Sequence, residues 1–308
     1  MIIRKSLCRI ALTVVGTIAV AALLTSASQA QQAYPSPENA AAALVAAVKT
    51  GTKSAILKVL GNAGADIVES GDDVADAEMR QRFLSAYDAR NSIRTEGNKK
   101  ATLILGADDF PFPIPLVNGR TGWEFDTAAG RREVLYRRIG RNELDAIQTS
   151  LAFVDAQNEY AEKDRTGEGA GVYAQRVVSS PGKKDGLFWR DDSDPSPFGE
   201  LMAQASAEGY KAEQAEPYHG YYFRIMRGQG SDAPGGAFNY VVKGKMIGGF
   251  ALIAYPAEYG NSGVMTFIVN HAGTVYEKDL GDRTLRIVGR IHLFDPDHTW
   301  KKVDVAAP

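Results

Sequence analysis

Four stretches in the C-terminal half give the strongest structural signal of the sequence: GYYFRIM (220–226), GGFALIAY (248–255), VMTFIVN (264–270) and TVYEK (274–278). Each is short, rich in aromatic and β-branched residues, and bounded by turn residues, which is the pattern of a β-strand. The sequence NHAG (270–273) joins the last two and is typical of a tight hairpin turn. With a further short strand expected at 238–242, these stretches predict an antiparallel, β-rich half.

Helical patterns dominate the chain before these strands. Ser36 can cap a helix, Pro37 suits its first position, and Gly51 is a natural stop after an alanine-rich run. Helices are expected at 37–48, 53–60, 75–89, 132–163 (with a candidate break at Gly140) and 198–207, and short strands at 101–105, 114–117 and 123–126. We therefore expect an α+β protein whose first half is helix-rich and carries a small sheet.

The sequence TGEGAG (166–171) is the best candidate for a linker, because glycines at three of its six positions favour irregular backbone. The chain is thereby expected to divide into three parts. These are a signal peptide (1–30), a helix-rich α+β module (31–165) and an antiparallel β-rich module (166–308).

The N-terminus has the pattern of a secretory signal peptide. An apolar run spans 10–24, and the small residues of SQA (28–30) predict cleavage between Ala30 and Gln31. Three basic residues and no acidic one precede the run: Arg4, Lys5 and Arg9. A membrane anchor would need about 20 apolar residues, and Thr25 ends this run too early. We therefore expect a periplasmic or secreted protein with no membrane span in the mature chain.

Composition narrows the classes of function. The chain has 308 residues, of which 44% are hydrophobic and 23% charged, as in an ordinary globular protein. Without residues 1–30, 32 basic residues face 37 acidic ones, which does not favour a nucleic acid as partner. The single cysteine, Cys8, would leave with the signal peptide. A cysteine-free mature chain excludes disulfides, thiolate nucleophiles and cysteine-ligated metals.

Two groups of polar residues could carry chemistry. His292, Asp295, Asp297 and His298 are ligand types that zinc accepts, but their spacing matches no zinc motif, and a turn around Pro296 explains them better. His219 could act as a general base, although a structural histidine is the favoured interpretation. No catalytic motif and no cofactor fingerprint is recognisable, so we predict no metal and no cofactor and favour a protein that is not an enzyme.

Aromatic residues of the C-terminal strands form a candidate surface for a partner: Tyr221, Tyr222, Phe223, Phe250 and Tyr255. Aromatic stripes usually belong to a core, so the same residues have a structural interpretation as well.

Long motifs resemble a family of exported bacterial proteins, domain of unknown function 2950 (DUF2950). They are DFPFPIPLV (109–117), GWEFDT (122–127), RIGRNEL (138–144), DGLFW (185–189), HGYYFR (219–224), GGFAL (248–252), SGVMTFIVN (262–270) and FDPD (294–297). The resemblance covers nearly all of the mature chain and implies no activity.

Two weaker likenesses concern the fold alone. The helix pair at 37–60 followed by strands is similar to the opening of NTF2-like domains, and 220–281 is similar to the C-terminal sheet of pilin-like proteins. Fold likeness carries little weight for function. The leading hypothesis is therefore a non-enzymatic binding or assembly factor of the cell envelope, with another envelope protein as one candidate partner. The alternative is a periplasmic hydrolase with a site near His219 or His292/His298.

Overall fold

The computed structural model describes residues 31–167, 169–191, 193–211 and 216–304. Its helices are α1 (Pro37–Lys49), α2 (Lys53–Leu60), α3 (Ala65–Val68), α4 (Asp73–Ala89), α5 (Thr127–Ala161), α6 (Gly199–Glu208) and α7 (Thr284–Val288). Its strands are β1 (Asn91–Glu96), β2 (Lys100–Leu105), β3 (Phe110–Pro111), β4 (Leu116–Asn118), β5 (Trp123–Phe125), β6 (Tyr221–Met226), β7 (Gly228–Gln229), β8 (Phe238–Asn239), β9 (Val241–Val242), β10 (Lys245–Met246), β11 (Ala251–Pro256), β12 (Met265–Asn270), β13 (Val275–Asp279) and β14 (Lys301–Lys302). The predicted signal peptide lies outside the described residues.

A first antiparallel sheet lies in the N-terminal half and packs against α1 and α2. Its strands run in the order β1-β2-β4-β5, and β3 pairs with β2. Ser36 caps α1 by accepting a hydrogen bond from the backbone N–H of Asn39 at 3.2 Å. Leu44, Leu116 and Phe125 are at most 2% exposed and lie in the shared core. Burial of each such side chain contributes about 1.5–3 kcal/mol to stability.

A second antiparallel sheet forms the C-terminal half, with the strand order β14-β13-β12-β11-β6. Tyr222 of β6 lies opposite Tyr255 of β11, and Ile268 of β12 lies opposite Tyr276 of β13. β11 and β12 are almost wholly buried, whereas the four central residues of β6 are half-exposed. Because β6 is the last strand in this order, it forms one edge of the sheet.

Helix α5 belongs to both cores. Val134, near its start, packs against the N-terminal core, whereas Phe153 and Tyr160 lie in the core of the second sheet. Between them, Arg138 donates hydrogen bonds to the Asp66 carbonyl at 2.7 Å and to Asn261 Oδ1 at 2.6 Å. One helix thus joins the two halves. The division of the chain at residue 165 stays a prediction.

The predicted α+β class is confirmed, with a helix-rich first half and an antiparallel, β-rich second half. The long helix runs unbroken through Gly140, because a helical glycine costs only about 1 kcal/mol and both ends of the helix are packed. The sequence did not predict β1, whose polar residues NSIRTE are mostly exposed and pair with β2 along their whole length. No helix in the described ranges has both the length and the apolar character needed to cross a membrane.

Candidate functional site

A cavity of about 870 Å³ lies beside β6. Helices α5 and α6, strand β11 and the segment 177–190 form its other walls. Its main lining side chains are aromatic or apolar: Phe153, Phe198, Met202, Tyr222, Phe223 and Tyr255. Concave, mostly apolar sites of this size are where proteins hold small molecules and short segments of other chains.

Among the described residues that line the cavity, the charged groups are mainly basic: Arg190, Lys211 and Arg224, against one carboxylate, that of Glu216. Arg224 is fixed by α7 and the loop after it, since its Nη2 donates to the Val288 carbonyl at 3.0 Å and to the Ile291 carbonyl at 2.7 Å. The cationic groups of Lys211 and Arg224 favour a ligand that carries negative charge.

A tight turn before β6 shapes one end of this wall. His219 (φ 48°) and Gly220 (φ 75°) are both left-handed, and Tyr218 and Tyr221 exchange two backbone hydrogen bonds across them, at 2.8 and 3.1 Å. Two left-handed central residues are what a type I′ turn requires, and histidine tolerates this region better than most residues. A Cβ at Gly220 would lie 2.6 Å from Nδ2 of Asn142, so only glycine fits there.

The His219 ring is held between two carboxylates. Its Nδ1 lies 2.9 Å from Asp145 Oδ2 on α5, and its Nε2 lies 2.7 Å from Glu208 Oε2 on α6. Burial alone would lower the pKa of His219, but the hydrogen bonds to Asp145 and Glu208 and their charges outweigh it and raise the pKa to about 9. At neutral pH the ring is therefore an imidazolium that donates both its protons. The Tyr218 ring stacks on it, with centroids 4.2 Å apart.

Asp72 ties this wall to the N-terminal half. Asp72 is only 2% exposed. Its Oδ1 caps α4 by accepting a hydrogen bond from the Ala75 N–H at 3.0 Å. Its Oδ2 accepts from the Tyr210 hydroxyl at 2.9 Å and from the Gly220 N–H at 2.8 Å. Burial and the Asp72 charge both raise the pKa of Tyr210, so its hydroxyl stays protonated and keeps donating. Of the tyrosines that line the cavity, Tyr210 is thus fixed by the buried carboxylate of Asp72, and Tyr218 by its stacking on the His219 ring.

The aromatic residues singled out from the sequence divide into two groups. Tyr221 and Phe250 are fully buried in the core of the second sheet. Tyr222, Phe223 and Tyr255 are half-exposed and line the cavity. Their role in binding stays a prediction, and only the second group is placed where a ligand could touch it.

The C-terminal His/Asp cluster folds as a turn. Asp295 Oδ1 accepts from the Asp232 N–H at 2.8 Å, and Asp297 Oδ1 accepts from the Thr299 N–H at 2.8 Å. His292 and His298 are exposed. Among the described residues, no three histidine, cysteine or acidic side chains are arranged to hold a metal ion. Backbone bonding accounts for both carboxylates.

Sequence reasoning missed most of the groups around His219. Asp145 is 74 residues away, Asp72 belongs to a different half, and Glu208 lies at the end of a short amphipathic helix. Nothing in the local sequence marks them as partners of one histidine. The glycine after His219 was the one available signal, because glycine readily adopts the left-handed backbone that a type I′ turn needs.

The comparisons with known proteins address the family alone. No curated protein and no solved structure matches the chain. A family model described as "Protein of unknown function (DUF2950)" matches residues 31–303. Since this match covers almost the whole chain and all of the motifs quoted above, the chain belongs to the DUF2950 family.

Proposed function

We propose that this protein is an exported, non-enzymatic binding protein whose ligand occupies the cavity beside β6. The observation that carries the proposal is a recess of about 870 Å³ with a mostly aromatic and apolar lining and three basic groups. Such a recess suits an apolar or aromatic ligand that also carries negative charge.

Rigid support of the wall favours binding. Tyr210, Tyr218 and Arg224 are each held by hydrogen bonds or ring contacts to neighbouring elements. A wall that is fixed before the ligand arrives loses less conformational entropy on binding.

The hydrolase alternative has less support. Both ring nitrogens of His219 are hydrogen-bonded to carboxylates. With its pKa raised to about 9, the ring is protonated at neutral pH and has no free lone pair to accept a proton. A general base needs that lone pair. The other two candidates, His292 and His298, flank a turn that backbone hydrogen bonds already explain.

Binding of anilinonaphthalene sulfonate, an anionic aromatic fluorophore, tests the proposal. We expect the folded protein to bind it, and Thr149→Trp to weaken binding about tenfold or more, because Thr149 lines the cavity and tryptophan would fill part of it. Gln148→Trp is the matched control, since Gln148 is exposed on the same helix and does not line the cavity. Equal binding by both variants would contradict the proposal.

Export is proposed from the N-terminal pattern. Gln31, the first residue after the predicted cut, is already bonded into the first core: its Nε2 donates to the Val59 carbonyl at 3.0 Å and to the Phe125 carbonyl at 2.7 Å. The mass of the protein recovered from the periplasm or medium should correspond to a chain that begins at Gln31. Ala30→Trp should block cleavage and accumulate the precursor, whereas Lys49→Ala should not. A full-length mass for the unaltered protein would contradict export by this route.

A further inference from the structure

The outer edge of β6 is open along its middle. At one end Tyr221 exchanges two backbone hydrogen bonds with Tyr218, and just past the other end the Arg227 carbonyl accepts from the Tyr240 N–H at 2.9 Å. Between these points, β11 is the only described strand that pairs with β6. The open stretch therefore contains Phe223 and Ile225.

The backbone groups of Phe223 and Ile225 point away from β11. The Ala257 N–H donates to the Gly220 carbonyl at 2.9 Å, which makes 220 and 257 a hydrogen-bonded pair in the antiparallel register. Such pairs alternate along a strand, so 222, 224 and 226 bond to β11, and 223 and 225 turn outward. In the described ranges no hydrogen bond satisfies these outward N–H and C=O groups. They lie at the cavity, whose wall includes three consecutive residues, 222–224.

The cavity reaches both faces of the sheet at this edge. Phe250 packs on Phe153 of α5 with ring centroids 5.6 Å apart, and by strand alternation Phe223 lies on that same face. Arg224 lies on the opposite face, where it bonds to the carbonyl of Val288 in α7. One face of the recess is thus aromatic and apolar, and the other presents a guanidinium beside Tyr222.

We infer that the ligand of this cavity is an extended peptide segment that adds as a strand to β6 and in which apolar residues alternate with acidic ones. Its backbone would pair with Phe223 and Ile225, which is the usual mode of strand addition. Alternate side chains would enter the two faces: apolar ones beside Phe223, and carboxylates beside Arg224. In the described residues only Nη2 of Arg224 is hydrogen-bonded, which leaves Nη1 for such a carboxylate. The inference rests on the proposed function of the cavity.

The probe for this inference is a synthetic peptide of about eight residues in which valine and glutamate alternate, a typical strand length. A second peptide has the same side chains but N-methylated backbone amides, which cannot pair with a strand edge. We expect the first to displace anilinonaphthalene sulfonate from the full mature chain and the second to bind at least about tenfold more weakly.

Two variants of the protein itself test the same edge. Ile225→Pro removes the outward N–H and spares the bonds to β11, which proline tolerates at an edge. Ile225→Ala loses the same side chain but keeps the N–H, so it is the matched control. We expect the proline variant to lose peptide binding about tenfold relative to the alanine variant, with fluorophore binding equal in both. If the proline variant fails to fold, the N-methylated peptide still decides the question.

Each other outcome has a defined meaning. Fluorophore binding without peptide binding, or equal binding of the two peptides, overturns the strand inference and leaves the proposed function standing. Absence of both kinds of binding overturns both. If sedimentation shows a dimer that Ile225→Pro dissociates and the peptide does not, the edge belongs to a second copy of this chain and the inference is wrong.

Discussion

His219 and the pair His292 and His298 are the same residue type in opposite surroundings. The side chain of His219 is 20% exposed, and both its ring nitrogens meet carboxylates. The other two are exposed, and no hydrogen bond or ion pair joins either ring to the residues that the structure describes. From the sequence, both regions were candidates for chemistry, and a structural interpretation was favoured for both. The protonation state of a histidine here depends on the folded chain, which brings Asp145 of α5 and Glu208 of α6 to the His219 ring.

The largest effect is expected where the His219 turn is anchored. Asp72→Ala would leave the Tyr210 hydroxyl and the N–H groups of Gly220 and Ala75 without their acceptor in a buried place. Each such loss costs about 1–3 kcal/mol, so we expect the free energy of unfolding to fall by at least about 3 kcal/mol. Denaturant titration measures it.

The matched control for Asp72→Ala is the removal of a carboxylate from the C-terminal His/Asp cluster. Asp297→Ala removes two exposed hydrogen bonds, from the N–H and from the hydroxyl of Thr299. We expect its unfolding curve to overlay that of the unaltered protein. A loss as large as that of Asp72→Ala would show that the two regions do not differ as described.

A pH-dependent effect of intermediate size is expected for His219. Its pKa is about 9 in the folded protein against 6.5 for the free group, so its stabilisation is complete below pH 6.5 and is lost as pH rises through about 9. By linkage the free energy of unfolding should fall by up to about 3 kcal/mol across this interval.

His219→Asn should abolish that fall, because asparagine tolerates the left-handed turn but does not titrate. Stability measured from pH 6 to pH 10 in both proteins gives the comparison. Parallel profiles would mean that His219 is not the proton-binding group.

The smallest effect is expected for His298→Ala. Its side chain is exposed and makes no hydrogen bond or ion pair with the described residues, so stability should change by less than about 0.5 kcal/mol. Addition of a chelator should leave the melting temperature of both proteins unchanged. A drop on chelation that the variant lacks would make the C-terminal cluster a metal site and would reverse the comparison.

Local signals made much of the fold predictable. The cap at Ser36, the proline at Pro37 and the alternation in the central strands act within a few residues of themselves, and α1, β6, β11 and β12 form close to where they were predicted. β1 was not predicted, because its pairing with β2 stabilises it, whereas its own side chains do not form a strand pattern. α7 has only five residues and was also not predicted.

The site was much less predictable than the fold. Tyr222, Phe223 and Tyr255 could be singled out as aromatic strand residues, but the sequence did not separate them from Tyr221 and Phe250, which are buried. That separation depends on which strand forms the sheet edge. The cavity also needs α5 and α6, which approach β6 only in the folded chain.

Helix α5, which serves both cores, has a consequence for how the molecule melts. Val134 and Phe153 belong to different cores but to one rigid rod, so neither core can loosen without straining the other. We expect a single calorimetric transition whose van't Hoff and calorimetric enthalpies agree. Gly140 lies between the two contacts, and a Cβ there would meet nothing within 4 Å. Gly140→Pro should break the rod and split the melt into two steps, whereas Gly140→Ala should keep one step and raise its midpoint.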